Sequence, residues 1–155
     1  MIQIKTSIKI TLSILVLSGL FLIGFSCNKA SSTNSATSGL VNQTINISYP
    51  QYSALNTIGN YVYIPMPNAG VRGIILYRYS QEQFNAYERS CTYNTASSCG
   101  PVVVLAGNFY IQDTCKNCGS KFLLVSGAVA TGPATIPLTQ YKTSWDGISV
   151  VTITN

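Results

Sequence analysis

Four cysteines fall within 28 residues of a chain that otherwise uses cysteine once, in the arrangement Cys91-x7-Cys99-x15-Cys115-x2-Cys118. Sulfur at this density points to one of three chemistries. Four thiolates can hold a zinc ion or a [2Fe–2S] cluster. An even number of cysteines in an oxidising compartment can instead pair into two disulfides. A bridge across the two cysteine-bearing loops would close about 20–25 residues and stabilise the fold by roughly 3 kcal/mol. The third chemistry is a redox-active Cys115-x-x-Cys118 pair. That motif needs a helix N-terminus to depress the thiol pKa, and a strand pattern follows Cys118 here. An oxidising compartment favours the disulfides, with their connectivity open.

Other residue types narrow the chemistry by their absence or scatter. The chain has no histidine, which excludes Ser-His-Asp and Cys-His catalysis and any imidazole-ligated metal. Its four acidic residues, Glu82, Glu88, Asp113 and Asp146, show no pairing motif for two-carboxylate hydrolysis. With no acid–base or nucleophile constellation, the sequence reads as a non-enzyme. Nine basic residues against four acidic ones give a formal charge of +5 without any Lys/Arg cluster, so no nucleic-acid partner is expected.

The elements that must position the cysteines are strands. Val41, Ile45, Ile47 and Tyr49 alternate with Asn42, Thr44, Asn46 and Ser48, a half-buried strand over Val41–Tyr49. Further strands are expected at Asn60–Ile64, Gly73–Tyr79, Phe84–Glu88, Val102–Leu105, Phe109–Gln112, Lys121–Val125, Gln140–Ser144 and Ser149–Thr154. Turn chemistry separates most of them, from Pro65-Met66-Pro67-Asn68 to Asp146-Gly147, the latter a strong hairpin signal. Residues 52–59 carry a weak helical pattern. Many short strands at close spacing predict an all-β domain of stacked antiparallel sheets.

The N-terminus reads as a targeting segment. Lys5 and Lys9 precede an apolar stretch, Ile10–Phe25, which ends at Ser26-Cys27. A basic start, an apolar run and a small residue before cysteine resemble a bacterial lipobox, although Gly24 stands where leucine is usual. Residues 1–26 are therefore expected to be a lipoprotein signal peptide and Cys27 the lipidated residue. Residues 27–40, rich in Ser, Thr, Asn and Ala, form a flexible tether, and 41–155 the β domain. Acyl chains on Cys27 would make the membrane a partner. No acidic residue follows Cys27 closely, which places the anchor at the outer membrane of the cell envelope, facing the periplasm.

The stretch from Gly73 to the C-terminus carries an ordered set of landmarks. These are Cys91-Thr92-Tyr93, Cys115-Lys116-Asn117-Cys118-Gly119-Ser120, Phe122, Ser126-Gly127-Ala128-Val129, Gly132-Pro133-Ala134 and Trp145-Asp146-Gly147. In order and spacing this resembles the Rieske [2Fe–2S] domain family, which reads C-x-H in a first loop, C-x-x-H-G-S in a second, then a Gly-Pro-Ala segment. The resemblance implies a Rieske-like stack of small antiparallel sheets with the three loops gathered at one end. It implies a cluster site at Cys91 and Cys115, with Tyr93, Gly119, Ser120, Gly132 and Pro133 lining it.

Both histidine ligand positions differ: Tyr93 stands at the first and Cys118 at the second. A Rieske centre places two cysteines on one iron and two histidines on the other, so that centre cannot form here. Cys118 and Cys99 add sulfurs in place of imidazoles. Tyr93 reads as a packing residue over the loops rather than a ligand. Some family members carry an inter-loop disulfide, but its second-loop cysteine aligns with Asn117, so that pairing is not conveyed. Two functions follow: an exported, lipid-anchored electron-transfer or metal-binding domain with a redox protein partner, or a disulfide-stabilised structural or binding module without metal.

Overall fold

The computed structural model describes residues 40–65, 67–93 and 100–155, which fall within one unit spanning Ser35–Asn155. The expected signal peptide, Cys27, all but the last residue of the tether, and Cys99 lie outside the described residues. Among the described residues the chain folds into strands β1 (Asn42–Asn46), β2 (Tyr61–Ile64), β3 (Ile74–Arg78), β4 (Phe84–Glu88), β5 (Val103–Val104), β6 (Tyr110–Gln112), β7 (Lys121–Leu123), β8 (Val129–Thr131), β9 (Gln140–Trp145) and β10 (Val150–Thr154), with one 3-10 helix at Pro50–Asn56. The all-β class and the antiparallel pairing are as the alternation predicts.

The strands form two sheets. A six-stranded sheet runs β1-β10-β9-β4-β3-β2, and a four-stranded one runs β5-β6-β7-β8. The two halves of the larger sheet are joined by the β4–β9 pairing, with Ala86 opposite Tyr141 and Tyr87 opposite Gln140. Both halves contribute to one core: Ile45, Val151 and Ile153 from β1 and β10, and Val62, Ile64, Ile74, Leu76, Phe84 and Ala86 from β2, β3 and β4. The opposite face of β2-β3-β4 packs on the smaller sheet through Ile75, Tyr87, Ile111, Phe122 and Leu124. Strand β3 is thus covered on both faces. This is why it reads as the unbroken apolar run Ile74-Ile75-Leu76 rather than as an alternation. Phe122 is fully buried at the centre of the second core, a side chain whose burial is worth about 1.5–3 kcal/mol.

The differences from expectation have local causes. Strand β1 stops at Asn46, not Tyr49, because the Asn46 side chain accepts the Ser48 N–H and its carbonyl accepts the Tyr49 N–H, turning the chain into Pro50. Strand β7 ends at Leu123, whose carbonyl accepts the N–H groups of Ser126 and Gly127. Gly127 has φ +68°, and a Cβ there would meet the Tyr87 ring at 2.8 Å, so a side chain at this turn would collide with the core. Strand β8 was not expected. Its three residues lie between Gly127 and Gly132, too few for an alternation to register.

Candidate functional site

Three loops meet at one end of the smaller sheet. The first leaves β4 through Arg89, Ser90 and Cys91. Its path is held by the Val102 N–H donating to the Arg89 carbonyl at 2.8 Å, and by the Arg89 guanidinium lying 4.0 Å from the Tyr63 ring centroid. The second runs from Asp113 to Ser120 between β6 and β7, closed by the Asp113 N–H donating to the Ser120 carbonyl at 2.9 Å. Within it, the N–H groups of Cys118 and Gly119 both donate to the Cys115 carbonyl, at 3.1 and 3.2 Å. Gly119 takes φ +63° to complete this turn, the left-handed conformation that costs glycine least. The third loop, after β8, presents Ala134 and Ile136. The Ala134 N–H donates to Ser120 Oγ at 2.9 Å, and the Thr92 hydroxyl donates to the Ile136 carbonyl.

This convergence brings two of the four clustered cysteines together. Cys91 Sγ lies 3.5 Å from Cys118 Sγ across 27 residues of sequence, and neither is in a disulfide. Cys91 is buried, whereas Cys118 is partly open to solvent. Cys118 Sγ also lies 3.0 Å from Ser120 Oγ, and Ser120 is fully buried. Since that oxygen already accepts from Ala134, its hydrogen is available to the sulfur. Cys115 differs from the other two: it is disulfide-bonded, with its partner outside the described residues. The Cys115-x-x-Cys118 motif therefore does not close on itself, because Cys118 carries a thiol that faces Cys91 instead.

The lining residues divide. Ser120 reaches the Cys118 sulfur, and Gly119 lies in the turn between them. Gly132 and Pro133, joined by a cis peptide bond, are exposed, and it is the next residue, Ala134, whose backbone enters the site. Tyr93 is 56 % exposed.

One residue at the site reads in the sequence only as one of four scattered acids. Asp113 is only 2 % exposed. Its Oδ1 accepts the Cys115 N–H at 3.0 Å, while Oδ2 is buried without a hydrogen-bond partner among the described residues. A carboxylate oxygen of Asp113 and the sulfurs of Cys91 and Cys118 all lie within 4.8 Å of one another. The nearest sequence signal is local: an Asp two residues before a cysteine, able to accept that residue's N–H in an Asx-turn. Nothing in the pattern reveals its burial. At the other end of β6, an apolar surface groove lined by Ile58, Tyr77, Phe109, Tyr110 and Val125 carries neither thiol nor carboxylate.

No protein-family model matches the chain, and no curated protein matches it in sequence. Among solved structures it is similar to a chain in the complex of reduced oxygenase and oxidized ferredoxin in carbazole 1,9a-dioxygenase, with 20 % identity and a TM-score of 0.45. That match covers 73 % of this chain and 93 % of the other. It is also similar to the ferredoxin of carbazole 1,9a-dioxygenase from Nocardioides aromaticivorans IC177, with 12 % identity and a TM-score of 0.47, over 74 % of this chain and 99 % of the other. Neither likeness decides the chemistry of the site, which this chain's own residues set.

Proposed function

We propose that the chain is an exported, lipid-anchored domain on a Rieske-like frame, derived from an iron–sulfur electron-transfer protein and working without the cluster ligated by two histidines and two cysteines. The observation that supports this most strongly is the way the cysteines divide. Cys91 and Cys118 face each other at 3.5 Å, while Cys115, at the position of the family's second cysteine ligand, is held in a disulfide.

The donor set does not fit a [2Fe–2S] cluster. The standard centre needs two imidazoles, and the chain contains no histidine. An all-cysteine centre, with iron or with zinc, needs four thiolates, and one of the four candidate sulfurs is bonded to another sulfur.

The basic and apolar leader and the cysteine at its end favour lipidation at Cys27 and a place in the cell envelope, at the outer membrane facing the periplasm. The loop end that carries the sulfurs is the surface a redox protein partner would approach, and the domain acts as an accessory module rather than an enzyme. A second reading, a disulfide-stabilised binding or structural module without metal, is favoured by the Cys115 disulfide itself.

Purification from the native host without oxygen, followed by iron and acid-labile sulfide analysis and a visible spectrum, tests the proposal. A colourless protein without stoichiometric iron or sulfide is expected. Brown protein with charge-transfer bands and stoichiometric iron and sulfide would overturn it.

A further inference from the structure

We propose that Cys91, Asp113 and Cys118 form a binding site for a single thiophilic divalent cation, with Zn²⁺ as the representative ion. This rests on the reading above that no iron–sulfur cluster occupies the loop end, and it replaces a four-sulfur donor set with two sulfurs and one carboxylate.

The spacing suits the ion. In tetrahedral coordination, Zn–S bonds of about 2.3 Å and Zn–O bonds of about 2.0–2.2 Å put ligand atoms roughly 3.5–3.8 Å from each other. The two sulfurs are already 3.5 Å apart, and the three ligand atoms all lie within 4.8 Å of one another. A disulfide would instead require the sulfurs to close to about 2.05 Å.

The carboxylate supplies the independent reason. Asp113 is 2 % exposed, and one of its oxygens is buried with no hydrogen-bond partner among the described residues. Buried polar atoms are almost always satisfied, and an orphaned one marks strain, function or an absent ion. Its other oxygen is fixed by the Cys115 N–H, so the side chain cannot swing away to find water. A cation between this oxygen and the two sulfurs satisfies all three donors at once.

The surroundings tune the site. The Ser120 hydroxyl, oriented by the Ala134 N–H, can donate to Cys118 Sγ and spread the negative charge of that thiolate. Binding converts both thiols to thiolates, and their protons leave to solvent. Three protein ligands leave the fourth tetrahedral position vacant for water or a small anion, and Cys118 lies on the side partly open to solvent. Thiolate donors disfavour the hard cations Mg²⁺ and Ca²⁺.

The full exported chain, isolated without oxygen, is titrated with Co²⁺ as the probe. We expect one Co²⁺ per chain, with thiolate-to-cobalt charge-transfer bands and intense tetrahedral d–d bands, displaced by Zn²⁺ and not by Mg²⁺. Asp113→Asn should weaken the affinity on the order of tenfold or more, while keeping the sulfur bands. Cys118→Ser should reduce those bands, which a purely structural role for the loop would not predict. Should Asp113→Asn fail to fold, the band intensities of the wild type and Cys118→Ser still decide the matter. Iron-free protein that binds no Co²⁺, or a Cys91–Cys118 disulfide in the isolated chain, overturns this site and leaves the proposed function standing. Stoichiometric iron and sulfide would overturn the proposed function itself.

Discussion

Tyr141 on β9 donates its phenolic hydroxyl to Glu88 Oε2 on β4 at 2.7 Å, a buried contact between residues 53 apart in sequence. The same carboxylate accepts the N–H groups of Val71, Arg72 and Ser90, at 2.7, 3.0 and 3.1 Å, and the Ser90 hydroxyl at 3.0 Å. Gly70 lies so close, with φ +74°, that a Cβ there would overlap Oε2. Glu88 is therefore a buried charge with its lone pairs occupied, an arrangement that offsets desolvation. It joins the two halves of the large sheet and fixes the backbone of Ser90, the residue before Cys91.

Removing one arm of this network has a calculable consequence. Hydrogen bonds to charged groups are worth about 1.5–3 kcal/mol. Tyr141→Phe is expected to lower the unfolding free energy by about that amount, with the urea m-value unchanged. A loss well under ~0.5 kcal/mol would show that the Glu88 network does not depend on this donor.

The same tyrosine predicts an alkaline limb. Burial, reinforced by the hydrogen bond to Glu88, holds the Tyr141 phenol far above its ordinary value, and burial pushes Tyr87 up to about 12. Both phenols are neutral in the fold, so the stability tied to them is complete below the unfolded value of about 10 and falls as pH rises through about 10–12. Denaturant midpoints measured across that range should drop, and tyrosinate absorbance from these two residues should appear only with unfolding. A flat midpoint would refute the assignment.

An acid limb comes from the β9–β10 hairpin. Asp146 Oδ1 accepts the N–H groups of Ile148, Ser149 and Val150 at 2.8, 2.9 and 2.9 Å. These bonds, that from Val150 foremost, hold its pKa below the usual carboxylate value. Its contribution is present above the unfolded pKa of about 3.9 and is lost as pH falls through the folded value. Asp146→Asn should flatten this part of the acid titration of stability, and an unchanged acid limb would contradict the role.

Much of this architecture was legible in residue order. The alternation at Val41–Ile47 announces itself because side chains on a strand repeat every two residues. The meeting of the cysteine loops with the Gly132-Pro133-Ala134 loop followed the Rieske-like order of landmarks. Which sulfurs face each other did not. That depends on the direction in which the 115–119 turn presents its side chains, and Cys115 and Cys118 leave that turn toward different neighbours. Asp113 was equally hidden, since a single acid just past a short strand looks solvated until the loops around it are known.

The proposed membrane attachment rests on Cys27. Cys27→Ser should release the domain in soluble form or block removal of the leader, read by fractionation and intact mass. Unchanged membrane association with an unchanged mass would count against lipidation.

In the proposed function, cysteine sulfur, divided between a disulfide and a facing pair, stands in place of the cluster ligands. The most direct test of this is alkylation of the natively isolated chain without reductant, mapped residue by residue by mass spectrometry. If Cys27 carries lipid as proposed, Cys115 should resist alkylation in a disulfide whose expected partner is Cys99. Cys91 and Cys118 should react together once a chelator has removed any bound cation. Alkylation of all four residues, Cys91, Cys99, Cys115 and Cys118, only after release of iron and sulfide would contradict the account.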